Sequence, residues 1–318
     1  MNLLFVTATR VGDAVLSTGL LAYLVERHPD AVITVAAGPV AAPLFEAVPR
    51  LSRLIVMDKR RYGMHWLRLY GAIAGRRWDL VVDLRSSALG YFLWAGERRI
   101  TAKADRREHR VRELGRLFAL DPPPAPQLWT SPAHQAAAAV LVPAAGPVLA
   151  VAPAANWRGK QWRGERFAEL ARRLVSPGGL LSGARVVVLA AAHERAQAEP
   201  LLAAFAPEQT IDLVGRTDLL TAAAVLQRAQ LFIGNDTGLM HVAAAVGTPT
   251  LGLFGPSPAA RFAPWGPHAA IVQTALSPEA LVAAPDYDYR TTDTLMDSLS
   301  VEAAHAGAEG LWARIADV

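Results

Sequence analysis

Residues 231–256, LFIGNDTGLMHVAAAVGTPTLGLFGP, constrain the fold more than any other stretch of the chain. An apolar run, Leu231-Phe232-Ile233, stops at Gly234-Asn235-Asp236-Thr237-Gly238. Small apolar residues follow from Val242 to Val246, and then a second strand-like run from Thr250 to Phe254. Strand, Gly-rich turn, short helix and strand make one parallel βαβ crossover. Such a turn gathers free backbone N–H groups at the positive end of a helix, which is a ready anion site. Thr237 and His241 lie four apart, so a helix starting here puts both on one face. The same residues also fit a plainer role, in which Asp236 and Thr237 cap a buried helix. Taken by itself, so short a motif leaves both readings open.

The same rhythm runs through the rest of the chain. Leu3–Thr7 reads as a buried strand, Thr9–Asp13 as a turn, and Ala14–Arg27 as a helix ending before Pro29. That is the start of an α/β unit. Its turn lacks the GxGxxG of a dinucleotide fold, which weighs against a nicotinamide enzyme. Strands are expected at Val32–Ala36, Arg53–Met57 and Asp79–Leu84, the last ending in the polar Arg85-Ser86-Ser87. Strand ends of this kind are where open α/β sheets bind ligands. Asp83 either serves that loop or pairs with Arg85.

After the extended Asp121–Pro126 loop, Pro and Gly cluster between Pro143 and Pro147, where we place a boundary between domains 1–142 and 143–318. The second half repeats strands at Val148–Ala152, Arg185–Ala190 and Ile211–Val214, with helices at Arg166–Val175 and Leu219–Ala229. Met296–Ile315 reads as a final helical stretch that can pack back on the first domain.

The chain has 318 residues and 52% hydrophobic residues, enough for two cores. It has no cysteine, which excludes disulfides, thiolate metal sites and a cysteine nucleophile. The uncharged stretch from Ala136 to Ala155 is long enough to span a membrane, but Pro143, Gly146, Pro147 and Pro153 break it into helix end, linker and strand. No basic segment precedes the first apolar run, so a secretory signal is not expected. The expectation is a soluble, cytoplasmic protein.

The formal charge of +4 hides an asymmetry. Residues 1–142 carry 19 Lys and Arg against 12 Asp and Glu, a net of +7; residues 143–318 carry 13 against 16, a net of −3. One half is suited to an anionic partner or surface. Arg98–Arg116 holds eight of these cations, and Lys59, Arg60 and Arg61 hold three more. A solvated, salt-bridged face is the commoner role of such a run. No nucleic-acid motif accompanies it, and no aromatics interleave with it.

The segment from Asp236 to Pro258, DTGLMHVAAAVGTPTLGLFGPSP, closely resembles the hallmark of the heptosyltransferases, bacterial enzymes that add heptose to lipopolysaccharide core. The resemblance covers most of the chain. It implies the GT-B arrangement, two Rossmann-like doubly wound α/β domains facing across a cleft, with the donor diphosphate held at Asp236, Thr237, Gly238 and His241. Lys160-x-Trp162 resembles the family's phosphate-neutralising Lys-x-Trp; otherwise Lys160 is a cation in a solvated loop. His193-Glu194 falls where the family has a Glu on the ribose, and Gly215-Arg-Thr217-Asp218 resembles the turn facing the base; both also serve as ordinary helix starts.

The Gly12-Asp13 pair matches the position of the family's catalytic base, the alternative being an acid stabilised by a helix dipole. The loop of Asp83 and Arg85 matches one that the family has on the acceptor side, and the charge split adds Arg60, Arg61 and Arg107 as the expected contacts of a phosphorylated acceptor. The resemblance thus implies an inverting, metal-independent transferase without cofactor. Its donor would be ADP-heptose and its acceptor a phosphorylated lipid A/core precursor at the inner membrane, with no nucleic acid partner. A nucleotide-sugar epimerase of the same fold, a non-enzymatic two-domain binding protein or an inactive donor-binding homologue are the alternatives. Asp286-Tyr-Asp288 has the spacing of a metal-binding pair, but its Pro/Thr-rich surroundings do not suit one.

Overall fold

The computed structural model describes residues 1–58, 63–102, 107–283 and 287–316. These residues form two compact units, Met1–Ser131 and Pro132–Val318.

The first unit begins with β1 (Asn2–Val6), whose Leu3 to Val6 are fully buried. A strand buried on both faces is what a parallel sheet covered by helices requires. α1 (Val11–Arg27), β2 (Val32–Ala37), β3 (Leu51–Val56), α2 (Met64–Ile73), β4 (Trp78–Asp83), α3 (Leu89–Phe92), β5 (Ala95–Ile100) and α4 (Arg110–Gly115) follow. The sheet is parallel, with order β3-β2-β1-β4-β5. Leu4 and Val6 share a core with Leu69 and Ile73 of α2 and Leu89 and Leu93 at α3, so both helices cover the same face of the sheet. The Pro-rich segment at 121–126 runs tight against α1: a Cβ on Gly19 would sit 2.3 Å from the Pro124 carbonyl oxygen.

The second unit contains α5 (Pro132–Leu141), β6 (Val148–Ala152), α6 (Gly164–Val175), β7 (Arg185–Val188), α7 (Arg195–Leu202), β8 (Thr210–Asp212), α8 (Leu219–Leu226) and β9 (Leu231–Asn235). It continues through α9 (Gly238–Ala245), β10 (Thr250–Phe254), α10 (Ala259–Phe262), β11 (Ala269–Gln273), α11 (Pro278–Val282) and α12 (Val301–Ala316). The six strands are parallel, in the order β11-β10-β9-β6-β7-β8. α6 shows why the local sequence folds as it does: Phe167, Leu170, Ala171 and Leu174 point into the core, while Glu169 and Arg172 stay outside. That is the 3.6-residue period of an amphipathic helix. The uncharged stretch is indeed α5, a turn and β6, and no helix among the described residues is long and apolar enough to cross a membrane.

Three features differ from the expectations. β5 and β11 are strands that the sequence pattern did not announce; each lies at the end of its sheet. β5 reads Ala-Gly-Glu-Arg-Arg-Ile with its middle four residues exposed, so no apolar alternation marks it. The final helix starts at Val301, and its Ala304, Ala308 and Leu311 are buried in the core of the second unit, packed with α6 and the β10–β11 side of the sheet. The Pro143–Pro147 cluster lies between α5 and β6. α5 runs along α8, and Arg228 Nε donates to the Val142 carbonyl at 2.7 Å.

Candidate active site

In an open parallel sheet, ligands bind where neighbouring strands send their connections to opposite sides, beyond the carboxyl ends. In the second unit that point lies between β6 and β9, adjacent strands whose helices depart in opposite directions along the sheet. The loop after β6 carries Lys160 and the loop after β9 carries Asp236. The two side chains meet there, Lys160 Nζ to Asp236 Oδ2 at 2.6 Å, with Asp236 almost fully buried. His241 Nε2 stands 3.9 Å from the other Asp236 oxygen. Thr237 is the N-cap of α9, yet its side chain caps nothing, and its Oγ1 is buried without a hydrogen-bond partner among the described residues. Gly238 opens the helix. The sequence-based donor residues Lys160, Asp236, Thr237, Gly238 and His241 are therefore one cluster at the amino end of a helix, where N–H groups and the dipole favour an anion.

The remaining donor candidates stand on neighbouring loops. Glu194 follows β7 and is part-buried; its Oε2 accepts the Ala191 N–H at 2.9 Å, closing the turn that leads into α7. Thr217 follows β8 and is part-buried, next to Asp218, the N-cap of α8. Asp218 accepts from the N–H and hydroxyl of Thr221 at 2.8 and 2.7 Å. Burial works against ionisation of Asp218, but these two bonds and the nearby His134 outweigh it and hold its pKa below the ordinary value. In the tail, Asp286 lies outside the described residues, and Asp288 Oδ1 accepts the Arg290 N–H in a turn.

In the first unit the equivalent point lies between β1 and β4, since β2 and β3 lie to one side and β5 to the other. Val6 and Asp83 are register partners there. The loop after β1 leads to Asp13 in the first turn of α1, part-exposed and making no hydrogen bond or ion pair with any described residue. That loop is pressed against the end of β2: a Cβ on Gly38 would come within 2.6 Å of Thr9. The loop after β4 is built around Asp83, whose side chain is fully buried. Its Oδ1 accepts the Arg85 N–H at 2.8 Å, and its Oδ2 accepts from the N–H and hydroxyl of Ser87. Burial pushes the Asp83 carboxyl above its ordinary pKa, opposed by those hydrogen bonds and the Arg85 charge. Ser86 sits between at a φ of 52°, a strained left-handed backbone, with its hydroxyl 2.6 Å from the Thr101 carbonyl oxygen. The Arg85 guanidinium lies 5.2 Å over the Trp66 ring, and its Nη1 is buried without a hydrogen-bond partner among the described residues. Arg107 is exposed ahead of α4 and engaged with other residues. Arg60 and Arg61 lie outside the described residues.

The family model of glycosyltransferase family 9 (heptosyltransferase) matches residues 77–286, more than half of the chain. The chain belongs to glycosyltransferase family 9. Lipopolysaccharide heptosyltransferase 2 of Salmonella typhimurium is 28% identical over 298 residues, covering 81% of this chain and 83% of the relative. Among solved structures, a family 9 glycosyl transferase from Veillonella parvula superposes with a TM-score of 0.77 at 22% identity, covering 98% of this chain and 97% of that one. The E. coli ADP-heptose lipopolysaccharide heptosyltransferase II gives 0.76 at 20% identity, covering 99% and 100%. The fold is therefore that of the GT-B glycosyltransferases, and membership selects glycosyl transfer over the epimerase and binding-protein alternatives.

Sequence reasoning passed over the parts of this glycosyltransferase that hold the Lys160 loop in place. Asn235, fully buried at the end of β9, accepts the Trp162 N–H at 3.1 Å and donates to the Pro153 carbonyl at 2.7 Å, pinning both ends of the loop. Residues 289–299 hold it from outside. The Tyr289 and Trp157 rings lie 5.5 Å apart, Arg158 pairs with Asp293 at 2.7 Å, and Leu295 N–H donates to the Gly159 carbonyl at 3.1 Å. Trp162 Nε1 donates to the Leu299 carbonyl at 2.8 Å, and Arg163 grips the Asp297 carboxylate. The hydrogen bond from Arg158 is the main cause holding Asp293 below the ordinary carboxylate range. A polar Asn closing a buried apolar run was the one signal in the sequence. The acids of the tail had none.

Proposed function

We propose that this glycosyltransferase moves heptose from ADP-heptose onto the core of a lipopolysaccharide precursor, inverting the anomeric centre. The sugar and acceptor follow the printed names of the heptosyltransferase relatives. The observation that carries the reading is the Lys160–Asp236 pair beneath the first turn of α9, beside the unpartnered Thr237 hydroxyl. Asp236 neutralises Lys160 in this state, so the helix amides and the Thr237 hydroxyl supply the net attraction for a diphosphate. Asp236 fixes where the ammonium stands, and His241 adds a second donor on the same helical face. Glu194 then meets the ribose and Thr217 the base. The second half of the chain, residues 143–318, is the donor side.

The first half, 1–142, is the acceptor side. Asp13 removes the proton from the acceptor hydroxyl as its oxygen bonds to the anomeric carbon. The bond from that carbon to the diphosphate oxygen breaks, and the negative charge leaving with ADP is stabilised by α9 and Lys160. Arg85, Arg107, Arg60 and Arg61 meet acceptor phosphates, and Asp83 acts by shaping the loop that presents Arg85. The +7 charge of this half supports an enzyme working peripherally on the anionic cytoplasmic surface of the inner membrane.

Calorimetric titration with ADP tests the donor site. Charge-assisted hydrogen bonds contribute about 1.5–3 kcal/mol, so Lys160→Ala and Thr237→Val should each weaken ADP about tenfold to a hundredfold. Unchanged affinity in variants with native melting curves removes the donor site from this cluster.

A further inference from the structure

Among the described residues, fourteen large apolar side chains are exposed, and six of them fall between residues 64 and 94. Met64, Leu67 and Tyr70 recur every third residue on α2 and are 50%, 68% and 42% exposed; Tyr91, Phe92 and Trp94, at α3 and just beyond, are 68%, 72% and 68% exposed. α2 and α3 cover the same face of the first sheet through Leu69, Ile73, Leu89 and Leu93, so these six belong to the outer side of one layer. Arg77 joins the two groups: it follows α2, and its guanidinium lies 5.7 Å over the Trp94 ring.

The aromatic group is rigidly mounted. Arg98 on β5 donates to the carbonyls of Gly90 and Ala95 at 3.0 Å each and of Leu93 at 2.5 Å, clamping the backbone on both sides of Tyr91, Phe92 and Trp94. A chain that merely tolerated exposed aromatics would not need such a mount.

The charge beside these side chains is positive. Residues 63–94 hold Arg68, Arg76, Arg77 and Arg85 against Asp79 and the fully buried Asp83. Trp and Tyr with arginines beside them are the side-chain types that settle at the headgroup level of a bilayer. Self-association through a twofold axis would set this face, with its arginines, against its own copy, so like charges would confront each other.

We propose that the outer face of α2 and α3 is a membrane-docking surface, inserting Phe92 and Trp94 at the headgroup boundary of an anionic bilayer. It rests on the reading above in which the acceptor is held in a membrane, and it names the part of the enzyme that meets that membrane. Two weak contributions, apolar insertion and attraction to anionic headgroups, together give binding that neither gives alone.

The test uses the full chain and sedimenting vesicles of phosphatidylethanolamine with phosphatidylglycerol, beside neutral phosphatidylcholine vesicles. The wild type should partition onto the anionic vesicles, release as salt rises, and show tryptophan quenching by lipids brominated on their acyl chains. Phe92→Ser/Trp94→Ser should lower the partition coefficient at least tenfold and remove most of the quenching. Val140→Ser, at an exposed apolar position of the second unit, should change neither. Transfer onto a deacylated, water-soluble acceptor should be unaffected in the double variant, because the surface serves docking and not chemistry.

Equal partitioning of wild type and double variant, with native melting, overturns the proposal. So does a wild type that ignores anionic vesicles, or a self-associating wild type whose double variant is monomeric while vesicle binding is unchanged. A wild type that binds vesicles through these residues yet transfers nothing to the soluble acceptor supports the surface and sinks the proposed reaction, so the two failures are told apart.

Discussion

Asp13 holds a carboxylate in the first turn of α1 that no described residue bonds or pairs with, the condition in which a carboxylate is free to take a proton. General-base catalysis contributes about 10²–10⁴-fold, so Asp13→Asn should lower kcat by that order while ADP affinity and Tm stay put. Near-normal turnover would reduce Asp13 to a dipole-stabilising acid. Its opposite is Asp83, whose carboxylate already serves three donors of its own loop. From sequence the two looked alike, each an acid at the end of a strand or the start of a helix. Only the hydrogen-bond partners separate them, because partners come from tertiary placement. Asn235 teaches the same lesson. Asn235→Ala leaves the Trp162 N–H and the Pro153 carbonyl without the bonds they have now. Leaving a buried polar group unsatisfied costs about 1–3 kcal/mol. The variant should therefore melt earlier and bind ADP more weakly, read by calorimetry; an unchanged melt would show that the loop stands without it.

Elements whose faces are buried were legible, and of the four strands at the sheet ends β3 and β8 were read while β5 and β11 were not. β1, β6, β9 and β10 are continuous apolar runs because helices cover them on both faces, and the sequence marks each within a residue or two. β5 sits at the end of its sheet, where hydrogen bonding to one neighbour makes a strand out of residues with no apolar signature, whereas β11 is an apolar run of four, Ala-Ala-Ile-Val, too short for periodicity to tell a strand from a helix segment. Helix starts follow local chemistry and can be tested locally. Asp218 caps α8, and removing a cap costs about 0.5–2 kcal/mol. Its pKa is lower in the folded chain than the ordinary 3.8. Its contribution is therefore fully present above that value and is lost as pH falls through the folded one. Urea titrations should show Asp218→Ala destabilised near neutrality, with the difference shrinking as pH falls below 3.8. A penalty of equal size in both ranges would mean that the cap works without its charge.

Across the whole molecule, charge is divided as the fold is, +7 in residues 1–131 and −3 in 132–318, because residues 132–142 hold no Asp, Glu, Lys or Arg. Raising ionic strength from about 0.01 to 0.15 M shortens screening lengths from about 30 to 8 Å. The acceptor KM should then rise several-fold while the donor KM, set by close contacts around Lys160, moves much less. Equal shifts would argue against the division of labour. The contacts that brace the Lys160 loop have a consequence for biosynthesis. Arg158 precedes its partner Asp293 by 135 residues and Trp162 precedes Leu299 by 137. Ribosomes add about 5–20 residues per second, so the loop waits roughly 7–27 s for its braces. On the proposed donor site, nucleotide recognition is thus completed late in translation, and a nascent chain stalled before residue 293 carries the binding motif with Asn235 but without the outer braces of its loop.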